Sequence, residues 1–391
     1  MKEKIAFVCQ RYGLEVNGGA EAECRMYAER LVPYYEVEVL TTCALDYTTW
    51  ANHYPVGETV LNGVTVRRFP VTRERDMETF NRVSQAVIDP RHTDETEAAW
   101  MDAQGPYCLP LVEYLNAHAK DYKAVLFMTY LYYTTARGIM ADCQSRILIP
   151  TAHDEWPIYQ RQFRDVFSKA DRLIYNAPAE KEFVEKLFPA TKEKPSVTVG
   201  AGVTPPKENL PEVSARFGVG SPYICYAGRI DESKGCKKLF DYFIRYKTTH
   251  AFPLKLILIG KAVMDIPKHE DIVALGFVPE EEKYAVMKEA QAFAIASDYE
   301  SLSIVLLESM MMETPVLVNG ACAVLRDHCI RSNAGLYFEN YEEFEATLDY
   351  LLEHKDICRQ MGQNGRQYVK ENFQWSTIIE KIRGLIERPE R

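Results

Sequence analysis

Ser297-Asp298-Tyr299-Glu300-Ser301-Leu302-Ser303-Ile304-Val305-Leu306-Leu307-Glu308 follows the short apolar run Ala292-Phe293-Ala294-Ile295-Ala296, and the join between them decides the fold. The run reads as a buried strand, and Ile304, Leu307 and Met311, at i, i+3 and i+7, predict a helix behind it. Ser301 or Ser303 is its candidate cap. A strand feeding a helix in this way belongs to an open α/β sheet. There, ligands sit beyond the carboxyl ends of the strands, and a helix N-terminus favours a phosphate. Glu300 falls at the mouth of the expected helix and Glu308 on its second turn. Helical geometry would separate them by roughly 12 Å, about 80° around the axis. A glycoside-hydrolase acid and base need about 5 to 9.5 Å. The wider spacing suits hydroxyls at two places on one long ligand, such as a sugar and a ribose.

Working outward, 391 residues exceed the length at which single cores stop growing, so two domains are expected, and 47% hydrophobic residues supply both cores. A net charge of −10 argues against a nucleic-acid partner, which needs a concentrated basic surface. The ten cysteines form no C-x-x-C pair and read as reduced, buried thiols of a cytoplasmic protein. No histidine or cysteine spacing suits a metal. No run approaches the roughly 20 apolar residues of a spanning helix, which leaves at most peripheral contact with the inner face of a membrane.

The first half opens with Ile5-Ala6-Phe7-Val8-Cys9, a loop holding Asn17-Gly18-Gly19, and helical spacing at Ala20, Cys24, Tyr27, Ala28 and Leu31. Strand, glycine loop and helix form the first unit of a Rossmann-like sheet. Further strands are expected at 37–40, 64–66, 124–128, 147–149 and 173–175. A second series follows at 223–226, 256–260, 272–275, 292–296 and 316–318. A polar stretch around 200–216 reads as a linker. The fold expected is α/β, two facing Rossmann-like domains with a cleft between them. Their bounds are 1–203 and 204–372, followed by a C-terminal helix at 373–391 crossing back to the first domain. Residues 73–120, the least regular part of the first half, read as polar helices and loops inserted between strands with Trp100 as an anchor, either a surface excursion or a binding flap.

The candidate chemistry lies at strand ends. Gly228-Arg229-Ile230-Asp231-Glu232-Ser233-Lys234-Gly235 follows the strand at 223–226, and its two cations could together offset a charge of about −2 to −3 on a diphosphate, or form a surface ion-pair cluster with Asp231 and Glu232. Gly18 and Gly19 let a backbone approach a ligand. His153-Asp154 ends the strand at 147–149, a place where the histidine could hydrogen-bond a ligand.

Glu, seven residues, Glu, placed between an apolar strand and Met311-Met312-Glu313-Thr314-Pro315-Val316-Leu317, resembles the family 4 glycosyltransferases of the GT-B fold. The glycine loop, the His-Asp pair, the Arg-Lys pair and the glutamates occur in that family's order across nearly the whole chain. The resemblance implies a retaining transfer of sugar from a nucleoside-diphosphate donor to an acceptor hydroxyl, in polysaccharide or glycoconjugate synthesis. Arg229 and Lys234 would hold the donor diphosphate, with Gly18 and Gly19 closing over it, and the amides of Ser301, Leu302 and Ser303 would meet the developing charge. His153, with Asp154, would face the sugar. Glu300 would hold its hydroxyls, Glu308 the ribose, and Gly276, Phe277 and Val278 would flank the base. No cofactor and no metal are expected. The acceptor is expected to be a saccharide, free or lipid-linked, on the first domain, and 73–120 as a flap would lie over it. Ser301 and Ser303 depart from the family, which often has glycines there. A GT-B epimerase or phosphorylase and a non-catalytic GT-B partner subunit are the other readings.

Overall fold

The computed structural model describes residues 2–16, 18–206, 209–213, 217, 220 and 222–389. Asn17 and parts of the expected linker, 207–208 and 214–216, lie outside the described residues. Two compact units divide the chain. One is Met1–Ala201 with Ile378–Arg391, the other Gly202–Thr377. The divisions fall at 201/202 and 377/378 rather than 203/204 and 372/373.

The first unit is built on β1 (Lys4–Val8), β2 (Glu36–Thr42), β3 (Gly57–Leu61), β4 (Val64–Phe69), β5 (Ala124–Met128), β6 (Arg146–Ile149), β7 (Arg172–Tyr175) and β8 (Ser196–Thr198). They form an eight-stranded sheet in the order β3-β4-β2-β1-β5-β6-β7-β8. β3 pairs antiparallel with β4 and the other pairs are parallel, so the sheet is mixed at one edge. β1 and β5 are covered on both faces by helices, which is why they read as continuous apolar runs. Residues 73–120 hold the helices expected of them. Helices Met77–Ile88, Asp94–Gln104 and Leu109–His118 run through them, and Trp100 is buried against Phe80, Trp156 and Phe163. The last helix, Trp375–Ile386, buries Ile378, Ile379, Ile382, Leu385 and Ile386. The Arg172 guanidinium of β7 donates to the carbonyls of Leu385, Ile386 and Arg388 at its end.

A buried polar cluster links the first unit's helix Gly19–Leu31 to the ends of β6 and β7. Glu180 accepts from the amides of Ala152 and Asn176, both at 2.6 Å. Asn176 Nδ2 donates to Glu23 at 3.0 Å. The Tyr27 hydroxyl lies 2.9 Å from Glu23 Oε1 and 2.6 Å from the Gly200 carbonyl.

The second unit is wholly parallel. Its strands β9 (Tyr223–Ala227), β10 (Lys255–Ile259), β11 (Ile272–Gly276), β12 (Ala292–Ile295), β13 (Val316–Asn319) and β14 (Gly335–Phe338) lie in the order β11-β10-β9-β12-β13-β14. From β9 the chain winds outward through β10 and β11, then returns to β12 and winds the other way. The junction of β9 and β12 is therefore the topological switch point, where diverging connections leave a crevice beyond the carboxyl ends. Both loops that carry the candidate charges, those after β9 and β12, leave from that junction.

Candidate active site

After β9 the chain passes through Gly228 and Arg229 into a 3₁₀ turn, Glu232–Lys234, whose first free amide, that of Ser233, is taken by the Asp231 carboxylate at 2.8 Å. Gly235 then opens helix Cys236–Thr249. This turn presses against the loop after β12. Ser297 Oγ donates to the Lys234 carbonyl at 3.1 Å, and a Cβ on Gly235 would lie 2.0 Å from the Ala296 carbonyl oxygen. Gly235 also has φ 68°, so any side chain there meets both strain and a backbone wall. Gly235→Ala should lower unfolding stability by about 2 kcal/mol or more. Urea denaturation measures this, and a loss below about 0.5 kcal/mol would mean the two loops part easily.

The close approach brings Lys234 Nζ to 2.9 Å from Glu300 Oε1, while Arg229 Nε sits 2.9 Å from Asp231 Oδ2. The offset of −2 to −3 expected from the two cations needs correcting. Each cation faces a carboxylate, so these four charges sum to zero. An anion entering here must exchange partners with the carboxylates. Behind them Asn319, at the end of β13, donates to the carbonyls of Ala296 and Ser297 at 3.4 and 3.2 Å and to Asp298 at 2.7 Å, which fixes the loop's base.

The expected helix mouth also needs correcting. The helix is Ile304–Met311, and its N-cap, Ser303, is left-handed at φ 65°, which breaks the helical path before Ser301 and Glu300 are reached. Glu300 is thus a loop residue, and the helical separation from Glu308 does not apply. Neither serine caps by its side chain. Ser303 is only 7% exposed, and its hydroxyl is buried without a hydrogen-bond partner. Serine here holds a left-handed backbone that glycine adopts without strain. His328, from helix Ala323–Ser332, bonds the Leu302 carbonyl at 3.1 Å. Nothing in its local sequence marked it.

Glu308 is 8% exposed. It therefore departs from a solvated helix glutamate. Lys283 Nζ lies 2.7 Å from one carboxylate oxygen, and the Tyr284 hydroxyl donates to the other at 3.3 Å. Burial raises its pKa, and the Lys283 charge opposes that. Lys283 and Tyr284 stand on helix Glu280–Glu289, which follows β11 and the short connection through Phe277 and Val278. Gly276 ends β11 at φ 71°, Phe277 is 84% exposed, and Val278 is buried.

In the first unit, Gly18 precedes helix Gly19–Leu31. A Cβ on Gly18 would lie 2.1 Å from Glu21 Oε2, and one on Gly19 would meet nothing within 4 Å. A side chain at 18 would therefore displace the Glu21 carboxylate, which is paired with Arg11 at 2.5 Å. His153 Nε2 is 3.5 Å from Glu155, which accepts from the Tyr130 hydroxyl at 2.8 Å. Asp154 accepts instead from Tyr159 at 2.6 Å, so the carboxylate beside His153 is that of Glu155. Among the described residues, no three His, Cys, Asp or Glu side chains gather as metal ligands. Nor is any helix among them long and apolar enough to cross a membrane.

Residues 212–368 match glycosyl transferases group 1. Those residues hold the switch-point loops and both glutamates. Trehalose synthase of Thermococcus litoralis is 26% identical over 252 residues, 57% of this chain and 59% of that enzyme. The chain thus matches about three fifths of the length of such curated relatives. Sucrose-phosphate synthase from Thermosynechococcus elongatus superposes with a TM-score of 0.70 at 17% identity, covering 98% of each chain. Anabaena HepE, in a complex with UDP and glucose, gives 0.68 at 14% identity, covering 98% of this chain and 99% of its own. The chain shares with these structures a fold of two Rossmann-like α/β units.

Proposed function

We propose that the protein is a retaining glycosyltransferase, moving a sugar from a nucleoside-diphosphate donor to an acceptor hydroxyl. The observation that carries this is the meeting of Lys234 and Glu300, 2.9 Å apart, across the β9/β12 switch point. A cation and a carboxylate meet there, and helix Ile304–Met311, whose N-terminal amides favour an anion, follows in the same loop. The leaving diphosphate gains negative charge in the transition state, and donors already in place stabilise it without reorganising. Lys234, Arg229 and the amides of Ser301 to Ser303 supply them, so no divalent metal is required. As Lys234 turns to phosphate, Glu300 is released to sugar hydroxyls. A phosphate oxygen of the leaving group takes the acceptor's proton. The Glu-x₇-Glu resemblance supports retention, and a ribose role for Glu308. UDP and glucose in the HepE complex support a nucleotide-sugar donor. We assign a saccharide or lipid-linked saccharide acceptor to the first unit, with His153 at its sheet's carboxyl edge, and work at the cytoplasmic face of a membrane.

A thermal-shift screen of nucleotide sugars and nucleoside diphosphates tests this, since a ligand at 100 times its Kd stabilises by about 2.7 kcal/mol. No shift with any of them at millimolar concentration would sink the reading. With the responding nucleotide, Glu308→Gln should raise Kd by about tenfold, because a charged acceptor becomes neutral beside Lys283. Glu300→Gln should instead lower turnover more than nucleotide affinity. Calorimetry with the bare diphosphate separates them, and negligible effects from both would remove the glutamates from the site.

A further inference from the structure

His328 is 1% exposed and makes two hydrogen bonds, Nε2 to the Leu302 carbonyl and Nδ1 to the Tyr368 hydroxyl, each 3.1 Å. A carbonyl only accepts, so Nε2 carries the proton and Tyr368 donates to Nδ1. Burial lowers the imidazole pKa to about 4, which keeps the ring neutral in this tautomer.

The Leu302–Ser303 peptide is trans, so its N–H points opposite to its C=O. With the carbonyl turned back to His328, the Ser303 amide points away from the imidazole. The next carbonyl is fixed as well, for Ser303 O accepts from the amides of Leu306 and Leu307 at 3.1 and 3.3 Å. Ser303 is thus held from both sides at φ 65°, a conformation costing a serine roughly 1 to 2 kcal/mol. Strain of this kind persists where the surroundings over-determine it, and here they do. Beside it, the Ser303 hydroxyl is buried and unpartnered.

Resting on the donor site proposed above, we propose that His328 is a positioning residue. By pinning the Leu302 carbonyl it aims the Ser303 amide at the anionic oxygens of a bound diphosphate. His328 itself touches no ligand. Its effect should therefore fall on phosphate recognition and leave the nucleoside alone.

Calorimetry with UDP, ADP and GDP and with the matching nucleosides measures this. For the diphosphate that the wild type binds, His328→Leu should raise Kd by about tenfold or more, the scale of one charge-assisted hydrogen bond. Nucleoside Kd should stay within about twofold on the same scale. His328→Gln, whose side-chain amide can donate to the same carbonyl, should recover most of the loss. A histidine that only supports the fold would weaken both ligands alike. In the wild type, the Ser303 amide should exchange fast alone and slowly with diphosphate, and this reading decides the matter if His328→Leu does not fold. A wild type that binds no nucleoside diphosphate overturns the donor site and this inference with it. Diphosphate binding with an unprotected Ser303 amide, or with unchanged affinity in a folded His328→Leu protein, overturns the inference alone.

Discussion

Lys234→Ala should lower kcat for sugar transfer by about 10²-fold or more, the scale of removing one preorganised donor from a developing negative charge. The ion pair with Glu300, 2.9 Å long, complicates a single substitution, because alanine also strands a carboxylate whose side chain is 10% exposed. A double-mutant cycle resolves this. If Lys234 acts on the diphosphate, the loss persists when Lys234→Ala is added to Glu300→Gln. If it only neutralises Glu300, the loss disappears in that background. Excess EDTA should leave the wild type nearly unaffected. Activity abolished by EDTA and restored by manganese, or full turnover in Lys234→Ala, would show the diphosphate assignment to be wrong.

Glu23→Gln should raise stability at pH 8 and flatten its pH dependence. Tyr27 has one hydroxyl proton and faces two acceptors, Glu23 Oε1 and the closer Gly200 carbonyl. Both bonds are satisfied when Glu23 keeps its own proton and donates to the Tyr27 oxygen. Burial accordingly raises the Glu23 pKa to about 7, and burial raises Glu180 to about 8 against the amides of Asn176 and Ala152 that lower it. The unfolded chain releases these protons near the ordinary value, so between about pH 4.5 and 7 the folded state holds more protons. Stability therefore falls as pH rises through that window, by roughly 3 kcal/mol for Glu23 at 1.36 kcal/mol per unit. Glutamine can reproduce the neutral acid's donor and acceptor. Melting temperatures from pH 5 to 8 give the answer, and a slope equal to the wild type's would refute the protonated pair.

The strands that could be read from the residues are those buried on both faces, such as β5 and β9, whose apolar runs leave one interpretation. Those that escaped lack that signal. β3 is exposed along most of its length, β8 has three half-buried residues, and β14 opens with glycine and buries only Phe338. The switch-point residues were legible because Arg229, Lys234 and Glu300 directly follow such strands. Their partners were not. Glu300 as the counter-charge of Lys234, Lys283 beside Glu308, and His328 behind Leu302 are set by packing between segments distant in the chain. The left-handed turn at Ser303 was hidden for another reason. Serine is a common helix cap, and the local pattern favours that use over the strained one that tertiary contacts impose.

The helix Trp375–Ile386 has a consequence for how the protein is made. The first unit is discontinuous, and residues 378–391 complete a body begun at the N-terminus. A ribosome finishes the whole intervening unit before it delivers the carbonyls of Leu385, Ile386 and Arg388 to Arg172. Domains generally fold in order of emergence. Here the earlier-born body must wait, with the apolar bed for Ile378 and Ile382 uncovered, until the helix Trp375–Ile386 has been made. Nascent chains that lack this helix would thus expose that bed to chaperones.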